Sequence, residues 1–175
     1  MTIELRPLRE GEGSQLRDLR LRALRDAPAA FADSFEGGRV LPRRAWAEWA
    51  RMGAPSTPGM TIVAVDGDAW LGMSVGRLLD DRPDSVWLEA LWVDPSVRRA
   101  GLGSRLIEAV AAWSRDQGAR TLELSVTDNN GSAKDLYRRC GFAATGRRRP
   151  LPADPSRTEV FLSRPLQVRV YPGRP

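Results

Sequence analysis

Val86-Trp87-Leu88-Glu89-Ala90-Leu91-Trp92-Val93-Asp94-Pro95-Ser96-Val97-Arg98-Arg99-Ala100-Gly101-Leu102-Gly103 is the stretch that decides the fold. Bulky residues run as a strand until Asp94-Pro95, where proline ends the ladder. Two arginines and two glycines follow. The chain then takes the apolar spacing of an amphipathic helix over residues 104–117. A strand that empties through a glycine turn into a helix leaves backbone N–H groups without intrahelical partners. It also sets the positive end of the helix dipole beside them, which makes a cradle for an anion. Gly101 and Gly103 let backbone approach a guest closely, and Arg98 and Arg99 add two permanent charges. Phosphate or pyrophosphate is the natural ligand. The dinucleotide fingerprint G-x-G-x-x-G is not formed, because Leu106 stands where its third glycine belongs.

On the N-terminal side, residues 3–6 read as a strand and residues 14–26 as a helix with Leu16, Leu19 and Ala23 on one face. Residues 27–41 show no period and read as a loop that mixes Phe31, Asp33, Phe35 and Glu36. Pro42 opens a second helix to about residue 52, with Trp46 and Trp49 on one face. Residues 60–65 and 69–79 flank Asp66-Gly67-Asp68 as a hairpin, and residues 80–84 form a polar loop. On the C-terminal side, residues 121–126 alternate as a strand, 132–139 form a short helix, and a strand runs from Gly141-Phe142 to about residue 146. Residues 147–156 read as a basic, proline-rich loop and residues 158–162 as a last strand. The order predicts one mixed α/β domain over residues 1–175, a sheet flanked by helices.

Composition narrows the chemistry. The 175 residues contain no histidine and one cysteine, Cys140. Imidazole catalysis, a Cys–His pair and most transition-metal sites are thereby excluded, so no metal is expected. Any acid or base must be carboxylate, tyrosine, lysine, backbone or water. Cys140 reads as a buried small hydrophobe. The net charge of +5 comes almost wholly from arginine, Lys134 being the only lysine. These charges are interspersed with acids and lack an aromatic-basic repeat. A small anionic ligand is therefore the expected partner rather than nucleic acid. No window has the apolar length of a membrane span and no leader is legible at the start, so the expected location is cytoplasmic.

The central stretch does not stand alone. Some thirty residues after the glycines come Asn130-Gly131-Ser132-Ala133-Lys134-Asp135-Leu136-Tyr137 and then Gly141-Phe142. A strand ending in V-D-P, then R-x-x-G-x-G, a helix, a strand, N-x-x-A-x-x-L-Y and G-F resembles the GCN5-related N-acetyltransferase (GNAT) family over residues 86–146. The resemblance implies that family's acyl-CoA N-acyltransferase fold, acetyl-CoA as cosubstrate and an amine acceptor, with no nucleic acid and no membrane. Dimers are common in the family, which leaves room for a homodimer. It further implies that the backbone of Arg99, Ala100, Gly101, Leu102, Gly103 and Ser104, with Arg98 nearby, holds the pyrophosphate. Leu91, Trp92 and Val93 would align the pantetheine arm, with the Val93 amide near the thioester carbonyl. Asn130 and Ala133 would touch the cofactor, and Tyr137 would return a proton to the leaving thiolate.

For the base, Glu89 is the expected residue. Strict alternation puts Trp87, Glu89, Leu91 and Val93 on one strand face, and a carboxylate within an apolar strand is costly to bury without a purpose. Structural readings stand beside these roles. Tyr137 can pack its helix on the sheet, Glu89 can pair with an arginine or hand its role to a water chain, and Trp92, Trp46 and Trp49 can be core. The acceptor can be a small molecule or a protein or peptide amine, and the same fold can serve as an acyl-CoA sensor without catalysis.

Overall fold

The computed structural model describes residues 2–31, 33–54, 59–151 and 154–167. Seven strands form one sheet in the order β1-β2-β3-β4-β5-β7-β6, where β1 is Glu4–Pro7, β2 Gly59–Asp66, β3 Ala69–Leu79, β4 Arg82–Val93, β5 Thr121–Thr127, β6 Ala143–Leu151 and β7 Asp154–Pro165. Every pairing is antiparallel except β4 with β5. That parallel pair needs a crossover, which the helix α4 (Leu102–Asp116) supplies. The helices α1 (Gly13–Asp26), α2 (Phe35–Val40), α3 (Arg43–Met52) and α5 (Gly131–Arg139) complete the chain. The expected mixed sheet with flanking helices is the fold observed.

Two cores sit on opposite faces of the sheet. On one face α4 buries Leu102, Leu106, Ile107, Val110 and Ala111 against Ile62, Val86, Leu88, Leu122 and Leu124, and α5 lays Ala133, Leu136 and Tyr137 on the same cluster. These are the i, i+3, i+4 positions of each helix. On the other face Leu16, Leu19 and Ala23 of α1 and Trp46 and Ala50 of α3 pack on Val63, Val65, Trp70, Met73, Val75 and Trp92. Among the described residues this second core contains none from β5, β6 or β7. The sheet face beyond β4 is therefore left without a helical cover on that side.

The strand β4 is not regular. Ala90 has φ of 54°, and the register with β3 shifts between Met73, opposite Trp92, and Val75, opposite Glu89. This bulge inserts one residue and reverses the alternation. Val86 and Leu88 face the α4 side, yet Leu91 and Val93 face it too, while Ala90 and Trp92 join the α1 side. The expectation that Glu89 shares a face with Leu91 and Val93 is thus overturned. Period two held on each side of Ala90 and broke across it.

Three other boundaries differ. The supposed loop of residues 27–41 contains α2, capped by the Ser34 hydroxyl accepting from the Gly37 amide at 3.0 Å. The polar loop before β4 is shorter than expected, since β4 starts at Arg82. The basic, proline-rich residues 147–156 fall largely in β6 and β7, because an edge strand tolerates both proline and exposed arginine. Residues 152 and 153 of that segment, and the tail after residue 167, lie outside the described residues.

The crossover helix sits tightly on β3. A Cβ at Gly76 would lie 2.7 Å from Val110 Cγ1 and 2.9 Å from Trp113 Cζ3. Gly76→Val is expected to destabilise the fold by about 1–3 kcal/mol through overpacking, read as a lower urea midpoint. An unchanged midpoint would mean that α4 does not press on β3 as described.

Candidate functional site

The parallel pair β4 and β5 is joined only at its start. Ser85, Val86 and Trp87 stand opposite Thr121, Leu122 and Glu123, and no pairing continues beyond Trp87. From there β5 follows β7, while β4 bends away with β3 at the Ala90 bulge. The two strands splay into a wedge-shaped gap that opens toward their carboxyl ends, the place where open parallel sheets hold ligands. Along the gap the backbone of Leu91 to Val93 has no strand partner on the β5 side. The Asp94 amide bonds back to Leu71 O of β3 at 2.8 Å. Alternation then turns the N–H and C=O of Val93 toward the gap, where Arg98 Nε donates to the Val93 carbonyl at 2.9 Å.

The mouth of the gap is closed by the loop into α4. Gly101 is the N-cap residue in a left-handed conformation, with φ of 78°. The first hydrogen bond across the cap runs from the Arg105 amide to Gly101 O at 3.1 Å. The amides of Leu102, Gly103 and Ser104 therefore have no acceptor within the helix and point outward with the dipole. Arg99 also has positive φ, 66°. Ala90 and Arg99 are the non-glycine residues of positive φ among the described residues; one stands where the gap begins and the other in the loop at its mouth. Such strain costs roughly 1–3 kcal/mol per residue and concentrates where function demands it.

The two glycines divide the work that the sequence assigned to both. A Cβ at Gly101 would meet nothing within 4 Å, so its freedom serves the turn and keeps the cradle open. A Cβ at Gly103 would come 3.1 Å from Leu136 Cδ2, so Gly103 serves the close packing of α4 on α5.

Arg98 is held back from the cradle. Its guanidinium pairs with Asp26 at the end of α1 as well as with the Val93 carbonyl. Asp26 also accepts from Trp92 Nε1 at 2.8 Å. Arg98 thus fastens the loop to α1, and Trp92 is core with one polar tie rather than a side chain lining the gap. Hollows of about 360 Å³ at Asp128, Asn129, Ser156, Arg157 and Thr158 and of about 190 Å³ at Arg22, Asp26, Trp92 and Asp94 lie beyond the carboxyl ends of β5 and β4.

On the β5 side, Asn130 caps α5, its Oδ1 accepting from the Ala133 amide at 3.2 Å. Tyr137 lies two turns on, half-buried, its ring edge-on to Phe142 at 5.7 Å between centroids. Burial, with a smaller contribution from Cys140, pushes its phenol up to about 12. The group is a proton donor throughout the physiological range and no base. Cys140 is buried, as expected of a small hydrophobe.

Glu89 lies on the opposite face, beside the bulge. Its side chain is 41% exposed and its Oε1 is 3.6 Å from Arg77 Nε. The expected cost of burial does not arise, because the face beyond β4 is open. That face carries groups the sequence reading missed. Glu123 accepts from Arg82 Nη1 at 2.8 and 2.7 Å, and Glu159 accepts from Ser125 Oγ at 2.8 Å and pairs with Arg149. Trp87 meets Phe161 there at 6.0 Å. The alternation of β5 held the signal, since Leu122, Leu124 and Val126 face the α4 core and leave Glu123 and Ser125 opposite. Among the described residues no group of three His, Cys, Asp or Glu side chains could hold a metal.

The tie at the mouth is pH-dependent in a definite direction. Burial raises the Asp26 carboxyl, but hydrogen bonds from Trp92 and Arg98 and the charge of Arg98 outweigh it, so its pKa stays below the ordinary aspartate value. The charged form then stabilises the fold above the unfolded pKa, and that contribution vanishes as pH falls through the depressed folded value. Wild type is expected to be more stable than Asp26→Asn at pH 7, with the two urea midpoints converging on acidification below about pH 4. A constant difference down to low pH would show that the Asp26 charge contributes nothing.

The model of the acetyltransferase (GNAT) family matches residues 19–142. The L-2,4-diaminobutyric acid acetyltransferase of Nocardia farcinica is 34% identical over 93 residues, covering 53% of this chain and 45% of that one. The chain spans between a third and a half of the length of the first curated relatives it matches. A GNAT-family acetyltransferase structure from Streptococcus pneumoniae superposes with a TM-score of 0.80 at 19% identity, over 95% of this chain and all of that one. A Salmonella typhimurium structure solved with its cofactor acetyl-CoA gives 0.77 at 15% identity over the full length of both chains. The wedge between β4 and β5, the helix cradle at its mouth and a family match over most of the chain lead to one conclusion: the chain belongs to the acetyltransferase (GNAT) family.

Proposed function

We propose that this chain is an acetyl-CoA-dependent N-acetyltransferase whose acceptor is a primary amine of a small molecule. The observation that carries the reading is the gap itself. Strand backbone at Leu91 to Val93, which has no partner strand on the β5 side, leads directly to helix amides at Leu102 to Ser104 that have no acceptor within α4. An extended acyl-pantetheine arm ending in pyrophosphate has that succession of needs. The matched relative that acts on L-2,4-diaminobutyric acid and the structural neighbour solved with acetyl-CoA support the same reading.

Acetyl-CoA supplies an activated acyl group, a thioester open to attack by an amine. The amides of Arg99 to Ser104 hold the pyrophosphate, and Arg98 contributes by fixing their loop to α1. The edge of β4 from Leu91 to Val93 takes the arm as an added strand. The Val93 N–H faces the charge that develops on the carbonyl oxygen as the C–N bond forms, an interaction worth about 10²–10³ in rate in comparable sites. Asn130 and Ala133 set the start of α5 along the other wall. Tyr137 gives its proton to the sulfur as the C–S bond breaks, and Glu89, directly or through water, takes the proton from the amine.

Two experiments test this. Calorimetry should show acetyl-CoA binding to the wild type. Gly101→Glu, which places a strained anionic residue in the cradle, should weaken that binding by more than about 100-fold, on the order of 3 kcal/mol. Tight binding by this variant, with its fold intact by circular dichroism, would refute the cradle. Release of CoA thiol should follow addition of amines from a panel. Tyr137→Phe should lower kcat by about 10²-fold or more, and the wild type should show no alkaline limb from Tyr137 below about pH 10. Glu89→Gln should lower turnover and move its pH dependence upward, and an unchanged pH–rate profile would remove Glu89 from the proton path.

A further inference from the structure

The side chain that the scheme above leaves unused is Arg20. It projects from the buried face of α1, and only 6% of the side chain is exposed. One nitrogen, Nη2, donates to Asp33 Oδ2 at 2.8 Å, whereas Nε and Nη1 are buried and make no hydrogen bond among the described residues. The guanidinium lies over the ring of Phe31 at 4.3 Å and faces that of Trp49 at 5.4 Å. Aromatic faces on such a cation hold it in position but satisfy none of its N–H groups. Burial lowers its pKa, opposed by the hydrogen bond to Asp33 and by the charges of Asp33 and Glu89, and a guanidinium remains charged at neutral pH.

Fully buried side-chain donors are ordinarily paired, so two such nitrogens on one buried cation retain donor capacity for an acceptor. Its place in the fold says what that acceptor is. Arg20 belongs to α1, whose core takes in Phe31, Trp49 and Ala90 on the side of the sheet where the charge of Glu89 reaches it. Asp33, with a side chain 62% exposed, shows that a carboxylate reaches this guanidinium from the solvent side. The charge of Glu89 acts on the same guanidinium. A cation and an anion so placed complement a molecule that carries one carboxylate and one ammonium group.

We propose that Arg20 is the carboxylate anchor of the acceptor subsite, so that the acceptor is a small aminocarboxylate. Its carboxylate takes the unpaired N–H groups of Arg20, and its amine lies toward Glu89 and the end of the β4 gap. This deepens the acetyltransferase reading and rests on it. The planar fork of arginine suits a carboxylate, and lysine at this position would offer only a point charge.

The test compares matched acceptors on the full chain by CoA thiol release. L-2,4-Diaminobutyrate is set against 1,3-diaminopropane, and L-lysine against cadaverine and lysine methyl ester. In the wild type at least one aminocarboxylate should exceed its partner lacking the carboxylate by about tenfold or more in kcat/KM, the discrimination that one charged anchor gives. Arg20→Lys and Arg20→Gln should bring that ratio toward one by raising KM for the aminocarboxylate, with acetyl-CoA affinity followed separately by calorimetry. Partners without the carboxylate turned over equally well by the wild type would overturn the anchor and leave acetyl transfer standing. So would variants that lower both members of a pair alike. Thiol release with no amine at all would overturn acetyl transfer and the anchor together. The wild-type comparison decides the matter even if a variant fails to fold.

Discussion

One constraint governs the rest of this structure: the residue inserted at Ala90 must be absorbed by bending β4, which turns the strand with β3 and away from β5. The bulge at Ala90 preserves the ladder between β4 and β3 by shifting its register, and the ladder between β4 and β5 is lost. Backbone that would have been consumed in a sheet is left free along the gap. The same extra residue decides which side chains share a face. It puts Ala90 on the Trp92 side and returns Leu91 and Val93 to the α4 core. Left-handed geometry at an alanine is unfavourable, so this arrangement persists only because both faces of β4 are pinned. Trp92 is buried against α1 and tied to Asp26, while Leu88 is buried under α4.

The fold was legible where local chemistry and tertiary need agree. The strand, glycine turn and helix from Val86 through α4 could be read directly, because the proline stop, the glycines and the 3.6-residue spacing describe local structure. The hairpin at Asp66-Gly67-Asp68 and the alternation of β5 were legible for the same reason. The bulge was not, since nothing in Glu89-Ala90-Leu91 marks an insertion: no glycine stands there, and the apolar run reads equally well as a continuous strand. The error in the facing of Glu89 followed from that. The Pro150 and arginine content of β6 read as loop because propensity describes central strands, while β6 is an edge whose residues are almost all exposed. In the candidate site, the left-handed glycine turn at Gly101 was foreseeable from residue type. The retreat of Arg98 to Asp26 was not, because it depends on where the end of α1 comes to rest.

Many of the arginines are tied to acidic partners. Most of those with defined partners join distant segments: Arg22 to Asp94, Arg82 to Glu123, Arg149 to Glu159 and Arg164 to Glu108. Half-exposed pairs of this kind are individually weak, near 0–1 kcal/mol. Their planar, directional bonds nonetheless fix which elements meet. Arg20 departs from the pattern, since it is buried and only partly paired.

The absence of histidine from the sequence shapes the proposed chemistry further. One imidazole can accept a proton and then return it at the same position, whereas a phenol held near 12 can only give. Acid and base must then be different groups in different places. The fold provides that separation through its two faces: Tyr137 packs with the α4 core, and Glu89 stands on the open side with the β5 and β7 carboxylates. Between them runs the gap opened by the bulge. An amine entering from the open face would meet carboxylate first and the thioester next, with the phenol behind the leaving sulfur. In the proposed chemistry, the direction of proton flow would follow from which residues the extra amino acid in β4 sends to each side of the sheet.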